Sequence, residues 1–158
     1  MTEISSIGVL GSGSWGTALA SHLANKGHEV CLWARNHERA QAINTNRENA
    51  KYLPGFSLPE NLIATDDLEK ALHQKDLVLS VLPSHTKRQV WKEAAPYLAK
   101  ETPVLSASKG IENGSLALMS TLLEEILPNN PLAFLAGPSF AKEVVQKLPT
   151  AIVIGSHS

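Results

Sequence analysis

The hydrophobic positions of this chain alternate between two spacings, which predicts strands and helices in turn. An apolar run ends at Leu10, and apolar residues then recur at helical spacing until Gly27. The almost continuous apolar run over residues 77–82 is typical of a central parallel strand covered on both faces. Further strands are predicted over residues 29–34, 62–64, 103–107, 132–136 and 150–154.

Helical patterns separate these strands. They cover residues 37–46, a stretch beginning at 65 or 66, and residues 84–99, 115–127 and 140–146, whereas residues 50–62 hold Pro54, Gly55 and Pro59 and predict a loop. Regular alternation of this kind predicts an α/β domain with a doubly wound, mainly parallel sheet of the Rossmann type. Residues just after each strand should therefore meet one ligand at a single edge of the sheet.

A glycine motif stands at the first such position. Gly11, Gly13 and Gly16 form a G-x-G-x-x-G turn between the first strand and the first helix. Gly11 allows the turn, Gly13 admits a pyrophosphate, and Gly16 lets the helix pack closely, while the helix N-terminus faces the anion. An ordinary strand-to-helix turn is the alternative, which the flanking strand and helix disfavour. The motif predicts NAD or NADP as the cofactor.

The end of the second strand bears on the choice between these cofactors. Arg35 stands where an NAD-preferring site usually has a carboxylate, and a guanidinium can pair with the 2′-phosphate of NADP. NADP acceptance is therefore predicted, with a solvated surface arginine as the alternative. Glu38 could still bind the ribose, so the preference stays open.

Length, composition and charge indicate which classes of protein the chain could belong to. With 158 residues, of which 43% are apolar and 18% charged, the chain suits one globular domain. The net charge of −1 shows no basic stripe, so no nucleic-acid partner is expected, and no metal site is predicted. Neither a signal segment nor a membrane-spanning run is present, which predicts a cytoplasmic protein. Cys31 stands alone and is interpreted as a structural thiol rather than a catalytic one.

Three later segments, residues 81–85, 106–112 and 135–143, each follow a predicted strand. Lys109 precedes Gly110 and could bring an ammonium to a polarised carbonyl or a phosphate; a surface lysine is the alternative. Ser139 could contact a substrate or simply cap the next helix. His85 is a candidate acid or base, although positioning near a nicotinamide is the stronger interpretation. Trp15 could be a core residue or cover the pyrophosphate.

Together with the glycine motif, these segments resemble the bacterial NAD(P)-dependent glycerol-3-phosphate dehydrogenases over essentially the whole chain. The resemblance implies substrate contacts at Lys109, Gly137 and Ser139. Family members more often carry histidine at the position of Asn36 and vary at that of Trp15. The implied cofactor contacts, with the glycines of the motif, are Gly11, Gly13, Ser14, Trp15, Gly16, Arg35, Asn36, Lys109 and Ala141.

The resemblance implies reversible hydride transfer between NAD(P)H and dihydroxyacetone phosphate, giving sn-glycerol 3-phosphate for glycerophospholipid synthesis. In that family a helical C-terminal domain supplies the lysine that handles the proton, and an arginine and an asparagine for the substrate phosphate. The chain stops at Ser158, so residues 1–158 are expected to be the NAD(P)-binding domain of a longer enzyme. Residues 1–158 should hold no catalytic acid or base of their own. Any homodimer is expected to form through the helical C-terminal domain.

Two alternatives remain open. One is a module that senses NAD(P) without catalysis, and the other is a related dehydrogenase of a different small acid or sugar. Fold alone does not separate them.

Overall fold

In the computed structural model, which describes residues 4–156, the strands assemble into one sheet. The outer residues of the predicted domain, 1–3 and 157–158, lie outside the described residues. The strands are β1 (Ser6–Leu10), β2 (Glu29–Trp33), β3 (Leu62–Thr65), β4 (Leu77–Ser80), β5 (Val104–Ser106), β6 (Leu132–Ala136) and β7 (Val153–Ser156). Their order is β3-β2-β1-β4-β5-β6-β7.

The strand order explains where a ligand would lie. β1 to β6 run parallel, and β7 pairs antiparallel with β6. Chain order reverses between β1 and β4, and open α/β sheets bind ligands at the carboxyl ends of the strands beside such a reversal. The predicted fold class, a mainly parallel doubly wound sheet, is confirmed.

Helices cover both faces of the sheet. They are α1 (Ser14–Asn25), α2 (His37–Asn46), α3 (Leu68–Leu72), α4 (Ser84–Ala94), α5 (Met119–Ile126) and α6 (Ala141–Val145). One hydrophobic cluster joins the sheet to α3, α4 and α5 around the fully buried Trp91. A second joins it to α1 and α2 around Val9 and Ile43. Two separate cores fit a sheet that buries apolar side chains on both faces.

Several predicted boundaries are wrong, for local reasons. The helix predicted over 84–99 ends at Ala94 and continues as a 3₁₀ turn, Ala95–Tyr97, because Pro96 cannot donate a backbone hydrogen bond. The helix predicted from 115 begins at Met119, since Leu116 has a φ of +58°. The last strand begins at Val153 rather than at 150, and the run over 77–82 pairs as β4 only as far as Ser80.

Two kinds of feature are absent from the described residues. Among residues 4–156, no helix is long and apolar enough to cross a membrane. Within the same range, no group of three or more His, Cys, Asp or Glu side chains is placed to hold a metal ion. Cys31 is half-buried, and burial raises the pKa of its thiol, which suits the structural interpretation.

Candidate functional site

A cleft of about 370 Å³ opens at the carboxyl edge of the sheet. The segments that follow β1, β4, β5 and β6 all contribute to it, as expected for loops at one edge of a parallel sheet. Predicted site residues that line the cleft are Gly13, Ser14, Trp15, Gly16, Lys109, Ser139 and Ala141. Leu82 and Pro83 lie between them, at the start of α4. The structure thus brings together seven predicted positions from three separate segments.

The glycine turn is built by close backbone packing. A Cβ on Gly16 would lie 1.9 Å from the carbonyl oxygen of Gly11, and one on Gly11, whose φ is +119°, would lie 2.6 Å from that of Val81. Neither position therefore accepts a side chain without displacing backbone. A Cβ on Gly13 would meet no atom within 4 Å. The space left free at Gly13 is the approach that a pyrophosphate needs.

The N-terminus of α1 supplies donors to that space. Gly13 is the N-cap residue, and no side chain caps the helix, so its first peptide N–H groups keep their hydrogen-bonding capacity for a ligand. Ser14 donates its hydroxyl hydrogen to the carbonyl oxygen of Tyr52. The buried Asn49 donates to the carbonyl oxygen of Ser12 at 2.9 Å and to the hydroxyl of Thr17 at 2.8 Å. The loop after α2 thereby braces the glycine turn from outside.

Lys109, Trp15 and Ser139 meet across the cleft. The Lys109 ammonium lies 5.6 Å from the centroid of the Trp15 ring and donates to the backbone carbonyl of Ser139 at 3.3 Å. Two polar atoms here, Trp15 Nε1 and the Ser139 hydroxyl, are buried without a hydrogen-bond partner among the described residues. Unpaired buried polar atoms are costly, so the hydroxyl of Ser139, a residue that lines the cleft, favours a polar ligand there.

The capping interpretation of Ser139 is wrong. The N-cap of α6 is Phe140, and no side chain makes a capping hydrogen bond to that helix. The neighbouring Gly137 has a different constraint, because a Cβ there would lie 2.6 Å from the carbonyl oxygen of Ala151. Packing against the segment that leads into β7 therefore accounts for this glycine, which does not line the cleft.

Arg35 and Asn36 lie apart from this cleft, beyond the end of β2. The exposed Arg35 borders a second cleft of about 390 Å³, together with Trp33, Asp66 and Glu93. Asn36 caps α2 by accepting a hydrogen bond from the backbone N–H of Arg39 at 2.8 Å. Arg35 thus presents an exposed guanidinium at the end of β2, whereas the side-chain oxygen of Asn36 is already engaged.

His85 does not join the cleft. It is exposed on the first turn of α4, and the lining of the cleft near it comes from Leu82 and Pro83 instead. Of these two candidates, Lys109 lines the cleft and His85 does not.

Comparison with known proteins identifies the family. A family model described as the N-terminus of NAD-dependent glycerol-3-phosphate dehydrogenase matches residues 6–158. The chain belongs to this family. A glycerol-3-phosphate dehydrogenase [NAD(P)+] of Leptospira biflexa is 46% identical over 155 residues, covering 96% of this chain and 46% of that protein. One of Myxococcus xanthus is 49% identical over 152 residues, covering 94% and 45%.

A solved structure agrees with these relatives. The crystal structure of glycerol-3-phosphate dehydrogenase from Coxiella burnetii superposes with a TM-score of 0.92 at 35% identity, covering 98% of this chain and 47% of that one. The chain therefore spans about half the length of the family members it matches. The predicted family and the Rossmann-type fold are confirmed, and a nicotinamide dinucleotide is the cofactor that the family description names.

Beneath the cleft of this family member lies a buried polar group that sequence reasoning missed. Lys87 is fully buried in α4, and its ammonium nitrogen lies 2.5 Å from the hydroxyl of Ser106 at the end of β5. Trp91 donates to the hydroxyl of Ser80 at 2.8 Å, beside Ser106 in the sheet. The spacing of Lys87 with Val90, Trp91 and Ala94 already indicated a place on the buried face of a helix.

A charged cluster next to this group was also missed. Arg88 holds Glu112 through two hydrogen bonds of 2.7 and 2.9 Å, and it reaches Glu125 at 2.7 Å. These bonds, with one from Ser115, lower the pKa of Glu112 to about 2. Glu112 therefore stays ionised throughout the neutral range. Sequence pattern alone does not pair residues 24 positions apart.

Replacing Lys87 with methionine should stabilise the protein most strongly at neutral and acidic pH. Burial lowers the pKa of Lys87 to about 7 from 10.5, and no described carboxylate pairs with it. The unfolded chain thus binds this proton more readily between pH 7 and 10.5, so native stability rises with pH across that window. Below pH 7 the buried Lys87 ammonium stays charged in the folded protein, so the full cost of burying that charge is present. Replacing the charge with methionine should add roughly 1–4 kcal/mol to the free energy of unfolding.

Urea unfolding of the protein and its Lys87→Met variant at pH 6, 8 and 10 checks this. The gain should be largest at pH 6 and shrink towards pH 10. A gain that is the same at all three values would show that Lys87 does not titrate in this window.

Proposed function

We propose that residues 1–158 form the NAD(P)-binding half of an enzyme that interconverts dihydroxyacetone phosphate and sn-glycerol 3-phosphate, serving glycerophospholipid synthesis. The observation that supports this most is the cleft in which the open face of Gly13 meets Lys109 and the unpartnered Ser139 hydroxyl. A helical domain following this one would complete the substrate site. The relatives of about twice this length support that organisation.

The residues present fit a dinucleotide. Gly13 and the uncapped N-terminus of α1 would hold the pyrophosphate through backbone N–H groups. Trp15 would cover one side of the bound molecule, and the backbone of Ala141 would contact it from the start of α6. The nicotinamide supplies hydride transfer when it is bound, and the protein supplies orientation and charge.

Lys109 has the chemistry needed at the reacting carbonyl. Reduction of a ketone places negative charge on its oxygen, and an ammonium in a partly enclosed cleft stabilises that charge. The Ser139 hydroxyl, buried and unpaired, would hydrogen-bond the substrate beside it. We assign the proton for the new hydroxyl to a lysine of the helical domain, as the family resemblance implies.

The wider setting is part of the same proposal. We place the enzyme in the cytoplasm, with small-molecule partners and no nucleic acid, and assign any homodimer contact to the helical domain. The net charge of −1 and the lack of a membrane-spanning helix among residues 4–156 are consistent with this setting.

Arg35→Asp should weaken NADPH binding at least about tenfold while changing NADH affinity by less than about threefold, because only NADPH carries the 2′-phosphate that a guanidinium pairs with. Isothermal titration of both cofactors measures the two losses. Arg35→Lys is the matched control, since it keeps the charge and loses only the forked geometry. Equal losses for both cofactors would show that Arg35 is a solvated surface residue.

A fluorescence titration tests the cofactor site itself. Trp15 lines the cleft, whereas Trp33 is largely buried at the border of the second cleft and Trp91 is fully buried. NADPH should quench the protein's tryptophan emission, and a Trp15→Phe variant that still binds should lose most of the change. Unchanged emission with no heat of binding would refute the cofactor proposal. Binding of NADPH without any response to dihydroxyacetone phosphate in the full-length protein would favour a sensing module instead.

A further inference from the structure

The segment that carries Lys109 is bonded at both ends to a single helix. Residues 106–112 run from the end of β5 past Lys109, and α4 lies beside them. Lys87 contacts Ser106 at the start of the segment, and Arg88 contacts Glu112 at its end. Between them, a Cβ on Gly110 would lie 3.6 Å from the hydroxyl of Ser84, the first residue of α4. Adjacent residues of α4 thus hold opposite ends of one short segment.

The first contact fixes where the segment leaves the sheet. Ser106 and Lys87 are both fully buried, and their polar atoms are 2.5 Å apart. Ser80, the register partner of Ser106 on β4, accepts through its backbone carbonyl from Ala107 N–H at 2.9 Å and from the Ser108 hydroxyl at 3.3 Å. The three residues before Lys109 therefore have little freedom.

The second contact fixes where the segment turns away. Arg88 grips Glu112 with two parallel hydrogen bonds, a geometry that restricts orientation as well as distance. Glu112 also accepts from the Ser115 hydroxyl at 2.5 Å, and its backbone N–H donates to the carbonyl of Ala117 at 2.9 Å. Only 9% of Glu112 is exposed, so this ion pair is more than a surface contact.

We propose that Lys87 and Arg88 are positioning residues that clamp the two ends of segment 106–112 and thereby set the place of the Lys109 ammonium in the cleft. This rests on the proposed function, in which Lys109 acts at the substrate carbonyl. Neither side chain lines the cleft, so both act through Lys109 rather than on a ligand. A misplacement of about 1 Å at a reacting group can cost about a hundredfold in rate, so such a clamp has a measurable effect.

The test measures steady-state NADPH oxidation by the full-length enzyme with dihydroxyacetone phosphate. Arg88→Met should lower kcat at least about tenfold, whereas the NADPH dissociation constant should change less than about twofold because the glycine turn is untouched. Glu125→Gln is the matched control: it removes the other ion pair of Arg88 and leaves both bonds to Glu112, so kcat should stay at the wild-type value.

A double variant separates positioning from general damage. If Arg88 acts through Lys109, then Arg88→Met should cause no further loss of kcat in a Lys109→Met background. A structural role unrelated to Lys109 would instead lower kcat by the same factor in both backgrounds. That additive result would overturn the clamp.

Lys87→Met keeps the test decisive if Arg88→Met fails to fold. This variant removes a buried charge, so it should raise the melting temperature while lowering kcat about threefold to tenfold through the lost contact with Ser106. Unchanged kcat in a stabilised variant would overturn the assigned role of Lys87.

A wild-type enzyme without activity on dihydroxyacetone phosphate would overturn the proposed function, and with it the clamp. An active wild-type enzyme with an Arg88→Met variant of the same kcat would overturn the clamp alone.

Discussion

Gly16→Ala should strongly destabilise the protein, whereas Gly13→Ala, three residues earlier, should leave its stability almost unchanged and weaken NADPH binding. An alanine Cβ at position 16 would stand 1.9 Å from the backbone oxygen of Gly11, and neither the turn nor α1 can yield without breaking the packing of β1. The expected loss is roughly 3 kcal/mol or more of unfolding free energy.

Position 13 provides the matched comparison. A Cβ on Gly13, the N-cap residue of α1, would meet no protein atom within 4 Å. The Gly13→Ala variant should therefore lose less than about 1 kcal/mol of unfolding free energy. The added methyl would instead occupy space proposed for the pyrophosphate, and NADPH affinity should fall at least about tenfold. Thermal melting and NADPH titration of both variants measure these effects. A Gly16→Ala variant with the wild-type melting temperature, or a Gly13→Ala variant with wild-type affinity, would contradict the account of the turn.

Lys109→Met should lower kcat of the full-length enzyme by about a hundredfold or more, because the charge that stabilises the developing oxyanion is removed. NADPH affinity should fall by less than about threefold, since the glycine turn and α1 remain. The ammonium is exposed in the cleft and bonded to a single backbone carbonyl, so little stability depends on it. Steady-state kinetics and NADPH titration separate the two quantities.

Lys142 is the control for Lys109. It is an exposed lysine on α6 that does not line the cleft, and Lys142→Met should leave kcat and NADPH affinity unchanged. If Lys109→Met retained the wild-type kcat, its role at the substrate carbonyl would have to be abandoned. If it lost cofactor affinity and turnover to the same extent, Lys109 would serve the cofactor alone.

The fold followed from sequence wherever its causes are local. The first strand, the glycine turn and the first helix were all predicted, because apolar spacing and the glycines determine them within a few residues. Helix ends were less predictable. The start of α5 depends on the positive φ of Leu116 and on a β-bridge between Ile111 and Leu118. No periodic pattern in the sequence predicts either feature.

The site shows the same division. The positions lining the cleft follow directly after predicted strands, so strand order and a parallel sheet were enough to bring Lys109 and Ser139 together. The supporting contacts of Asn49, Lys87 and Arg88 were missed, since each joins elements at least 19 residues apart along the chain. The helical spacing of Lys87 puts it on the buried face of α4, but a lysine on a helix is ordinarily solvated, so residue type argues against burying it.

The most direct test of the central claim is the fall in absorbance at the NADPH band when the full-length protein is mixed with NADPH and candidate ketones. Dihydroxyacetone phosphate should cause rapid oxidation, whereas dihydroxyacetone and pyruvate, which are three-carbon ketones without the phosphate, should cause almost none. Equal oxidation with all three, or oxidation with pyruvate alone, would contradict the proposal that this cleft serves a triose phosphate.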